Sequence, residues 1–180
     1  MLAPDALEKL VTDALYFRRK IPNTCLQTNL AARELQEQSA EVVPVIEEVL
    51  VNVVVPQASS VAKRTDRFMG LRNLIGAYMV LGSKHDAVRA VTFLRTLPLA
   101  LQAIAVALIP LYFRKEVCSP KARTGNDLKP RPDKQLLAFI EESAKSQETR
   151  LRECAAWASS FFPTQEEKGT QLATGRNETN

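Results

Sequence analysis

LPLALQAIAVALIPLYF, residues 97–113, is the most apolar run of the chain, and the rest of the sequence arranges itself around how this run is housed. Leu99–Leu111 carries almost no polar side chain on any face. A helix of that kind belongs at the centre of a packed protein or in a membrane. Its length is at the short limit for spanning a bilayer, and Gln102, Pro98 and Pro110 interrupt it. Amphipathic segments stand on both sides and are able to cover it. The run is therefore expected to be a buried central helix, with membrane insertion the less economical reading.

Working toward the N-terminus, Ser83-Lys84-His85-Asp86 opens the preceding helix, whose inner stripe is Val88, Val91, Leu94 and Leu97. Gly82 suits the left-handed position at the end of the helix before it, which runs from about Ser60 to Leu81. Leu71, Leu74, Ile75, Tyr78 and Met79 recur on its inner face. Upstream, VLVNVVVP (49–56) is β-branched and open to a strand reading. Together with Val42, Val43 and Ile46 it makes a wide helical stripe, with Ser39 as the expected cap and Pro44 in the first turn. Two further helices precede it. One carries Leu7, Leu10, Val11, Ala14 and Leu15, and the other carries Leu26, Leu30, Ala31 and Leu35.

Toward the C-terminus, residues 116–132 contain Pro120, Gly125, Pro130 and Pro132 and read as a long loop. One helix is expected over Asp133–Ser160, its stripe interrupted at Gln147. Residues 164–180 read as a disordered polar tail. The pattern gives a single all-α domain over 1–163 with about seven helices. The first six group as antiparallel hairpins at a spacing of roughly forty residues. Over about residues 4–113 this arrangement resembles HEAT and armadillo helical repeat proteins. The resemblance implies a small α-solenoid that binds proteins along stacked helices. A compact orthogonal bundle accounts for the same pattern.

The chain has 180 residues, 46% of them hydrophobic, and a net charge of +4 that is unevenly spread. Residues 1–60 carry −3, residues 61–132 carry +9 and residues 133–180 carry −2. Lys63, Arg64, Arg67 and Arg72 form one basic cluster. On a helix Lys63 and Arg72 stand about 14 Å apart along the axis, and Arg64 and Arg67 share a face. Arg114, Lys115, Lys121, Arg123, Lys129 and Arg131 form a second cluster in and beside the loop. A field of this sign steers an acidic partner or holds phosphates. Tyr16, Phe17, Phe161 and Phe162 are candidate aromatic anchors.

Catalytic signals are sparse. Phosphate-loop, dinucleotide and zinc-protease patterns are absent from the sequence. Glu47-Glu48 and Glu141-Glu142 sit on polar faces, and His85, the single histidine, reads as a surface or capping residue. Cys25, Cys118 and Cys154 are widely separated and odd in number, which suits reduced thiols in an intracellular setting, cytoplasmic or nuclear. MLAPDALEKL lacks the pattern of a secretory signal. No catalytic residue, cofactor or metal ligand is assigned. The expected function is a non-catalytic protein-interaction or scaffold module, a subunit or adaptor of a complex, with eight of these residues, Lys63, Arg64, Arg67, Arg72, Lys121, Arg123, Lys129 and Arg131, meeting an acidic protein. The alternative is a module that recognises phosphate in nucleic acid or at an anionic membrane surface.

Overall fold

The computed structural model describes residues 4–15, 30–55, 65–113 and 132–162. The fold is all-α, with eight helices and no strand among the described residues. They are α1 (Pro4–Leu15), α2 (Leu30–Gln36), α3 (Val42–Val49), α4 (Thr65–His85), α5 (Ala87–Thr96), α6 (Leu99–Phe113), α7 (Lys134–Ser143) and α8 (Thr149–Ser159). The segment VLVNVV stays helical. α3 runs without a break into a π-helical turn, Leu50–Val54, whose Leu50 and Val54 are buried. Val54 is buried and Val49, Val53 and Val55 pack partly against the core, which offsets the small intrinsic cost of β-branched residues in a helix, while Val51 stays 45% exposed.

α6 is a buried central helix. Leu101, Ala103, Ala105, Val106, Leu108, Ile109, Tyr112 and Phe113 are all shut off from water. It packs most extensively against α8 and also meets α4, α5 and α7. Among the described residues no helix is long and apolar enough to cross a membrane. Pro110 is carried near the C-terminal end of α6, where it removes one backbone donor from a helix already near its last turn.

α4 is the other organising element, lying against α1, α2, α3, α5 and α6. Leu71, Leu74, Ile75, Tyr78, Met79 and Leu81 fill its inner surface, as the periodicity predicts. Three glycines set how closely its neighbours approach. A methyl group on Gly70 would overlap the Leu15 carbonyl of α1. One on Gly76 would overlap the Tyr112 ring of α6, and one on Gly82 would overlap Ala90 of α5.

The structure corrects six of the sequence expectations. Gly82 lies inside α4 rather than beyond its end, because its role is contact with Ala90 and not a left-handed turn. α4 therefore continues to His85, which occupies a last turn and not the helix start. Asp86, not Ser83, caps α5, its Oδ1 accepting the Arg89 N–H at 3.0 Å. With that phase the inner residues of α5 are Ala90, Val91 and Leu94, and Val88 turns outward at 59% exposure.

The remaining two corrections concern helix ends. Glu41, not Ser39, precedes α3, and it makes no side-chain capping bond; the Ser39 and Ala40 carbonyls accept the Val42 and Val43 N–H groups instead. The long helix expected over 133–160 is two helices. Local bonds win over continuation between them: Ser146 Oγ accepts the Glu148 N–H, the Glu148 carboxylate accepts the Leu151 N–H, and Arg152 reaches back to the Ser146 carbonyl. The interruption at Gln147 marks this break, which raises the helix count from seven to eight.

Candidate functional site

Polar groups that tie one helix to another concentrate on α5. Arg89 leaves its first turn and grips Glu47 of α3 with two bonds, Nε to Oε1 at 3.3 Å and Nη2 to Oε2 at 2.7 Å. The buried Tyr78 hydroxyl of α4 donates to the same Oε1 at 2.8 Å. Burial, reinforced by the adjacent carboxylate, pushes the Tyr78 phenol above its ordinary value, so it stays a proton donor. The Glu47 hydrogen bond likewise raises the Arg89 guanidinium. The Phe93 ring, one turn along α5, tilts against Tyr78 with centroids 5.2 Å apart. The three polar side chains satisfy one another and join α3, α4 and α5.

Six residues beyond Arg89, Arg95 Nε and Nη2 both point at Oε2 of Glu142 on α7, at 3.0 and 2.6 Å. This pair is open to solvent on both sides. α5 is thereby fastened to the N-terminal third of the chain by one arginine and to the C-terminal third by another. Glu47 and Glu142, which sequence reasoning left as solubility residues, are structural acids. Their partners lie 42 and 47 residues away, a separation at which no local pattern announces a contact.

A buried polar contact joins α4 to α6. Tyr112 donates to Asn73 Oδ1 at 3.2 Å, and Asn73 is 1% exposed. The neighbouring Gly76 leaves room for the Tyr112 ring. α6 thus ends against the first half of α4. α1 ends there too, with the Leu15 carbonyl at Gly70. The ends of α1 and α6 and the beginning of α4 fall within roughly three turns of one another along α4. In the sequence, the basic residues next to those ends are Arg18-Arg19-Lys20, Lys63-Arg64 and Arg114-Lys115, all outside the described residues.

Of the eight basic residues expected to form a binding region, the structure describes the side chain of Arg72, half-buried on α4. Arg67 lies in the first turn of α4 by its backbone. Lys63, Arg64, Lys121, Arg123, Lys129 and Arg131 lie outside the described residues, as do Tyr16, Phe17, Cys25, Cys118, the expected loop up to Arg131 and the expected tail. Phe161 and Phe162 are half-buried. Phe161 meets the exposed Trp157 edge to face with centroids 4.8 Å apart, and Trp157 is an aromatic that the sequence reading passed over. His85 is exposed. Cys154 is half-buried, and that burial pushes its thiol up. Among the described residues no three His, Cys, Asp or Glu side chains are grouped to hold a metal ion.

Charge divides sharply along the sequence, with +9 on residues 61–132 between flanks of −3 and −2. The positive middle of the sequence is in part internal machinery: Arg89 and Arg95 neutralise acids of the two acidic thirds. Compared with protein-family models, with curated proteins and with solved structures, the chain matches none.

Proposed function

We propose that this chain is a non-catalytic protein-interaction module, a subunit or adaptor of an intracellular complex, that receives an acidic segment of its partner. The charge division carries this reading. Arg89 and Arg95 of the positive middle are engaged in internal ties, and the reading rests on other basic residues there, chiefly Lys63, Arg64, Lys121, Arg123, Lys129 and Arg131. Arg18-Arg19-Lys20, Lys63-Arg64 and Arg114-Lys115 adjoin, in the sequence, helix ends gathered on the first half of α4. A concentration of like charge favours encounter with a segment of opposite sign. The stacked-hairpin arrangement of helical repeat proteins would present such a region along a groove, which is the form of binding this reading adopts.

Affinity capture with the full chain at two ionic strengths tests the proposal. The comparison protein carries Lys63→Glu, Arg64→Glu, Arg114→Glu and Lys115→Glu together. The expected result is one stoichiometric protein partner with an acidic segment, retained at the higher salt by its apolar contacts and depleted several-fold by the charge-reversed chain. Recovery of nucleic acid only, lost steeply as salt rises, would overturn it in favour of phosphate recognition. Equal recovery of the protein partner by both chains would remove the basic segments from the interaction.

A further inference from the structure

We draw no further inference here: the strongest candidate, the exposed strip of Val88, Thr92, Thr96 and Leu99 along the outer side of α5 and the start of α6, is an unpartnered face, and nothing in the structure shows what covers it.

Discussion

The seam between α4 and α6 and the outer ties of α5 hold helices together by opposite means. The seam is buried and steric. It depends on a missing side chain at Gly76, a ring at Tyr112 and the hydrogen bond from Tyr112 to Asn73. The ties of α5 are ionic and reach the surface, and they differ from each other. The Glu47 side chain is 16% exposed and shared by a tyrosine and an arginine, whereas the Glu142 side chain is 55% exposed and meets one arginine through one oxygen. Shape complementarity is unforgiving because packed atoms have nowhere to move. Charge complementarity is worth only what the surrounding water leaves of it. The molecule should therefore be fragile at the seam, intermediate at Glu47 and tolerant at Glu142.

The most damaging change should be Gly76→Leu. Leucine is the better helix former by about 0.8 kcal/mol. Overlap with the Tyr112 ring in a closed core outweighs that gain, for a net loss of about 2 kcal/mol or more. Urea denaturation of the variant should show a clearly lower midpoint. A midpoint at or above that of the parent would mean that α4 and α6 do not pack closely at this site.

Glu47→Ala should come next. It leaves the buried Tyr78 hydroxyl and the Arg89 guanidinium without their acceptor, a loss of about 1–3 kcal/mol. Glu142→Ala, which uncovers only an exposed arginine, should cost under about 1 kcal/mol. Double-mutant cycles for Glu47 with Arg89 and for Glu142 with Arg95 sharpen the contrast. The first coupling should exceed the second and respond less to added salt. Equal couplings would mean that solvent screens both pairs alike.

Tyr78 gives the same tie a pH signature. Its phenol is raised in the folded chain, so the unfolded chain loses the proton first as the solution becomes alkaline. This contribution to stability is intact below the ordinary phenol value of about 10 and declines as pH climbs above it. Tyr78→Phe should cost about 1 kcal/mol near neutrality. It should also flatten part of the alkaline decline seen in thermal melts at successive pH values. An unchanged decline would place the responsible groups elsewhere.

The smallest effect concerns Cys154. Burial holds its thiol protonated, so maleimide or iodoacetamide should modify it more slowly in the folded chain than in urea at the same pH. Peptide mapping separates it from Cys25 and Cys118. Equal rates in the two states would mean that α8 does not shield it.

Much of this architecture is legible in the residues. Leu10, Val11, Ala14 and Leu15 are buried on α1 and Leu71, Leu74, Ile75, Tyr78 and Met79 on α4, because helical spacing puts them on one face whatever the neighbour is. The errors fall where two local rules compete. Gly82 satisfies the rule for a helix end and the rule for close packing, and only the presence of Ala90 chooses between them. Ser83 and Asp86 are both competent caps, and the choice of Asp86 rotates the burial pattern of α5 enough to turn Val88 outward. Of the basic residues expected to bind a partner, Arg72 is the one whose side chain has a described position.

By itself, the sequence determined that this is an all-helical chain built around residues 97–113, since apolar periodicity and the placement of prolines and capping residues act over a few positions. It also determined that the chain is positive in the middle and acidic on both sides. Tertiary structure alone decided that Glu47 joins Tyr78 to Arg89 and that Arg95 finds Glu142. Those contacts bridge 31 to 47 residues, and their strength depends on burial, a property that no residue has until its neighbours are in place.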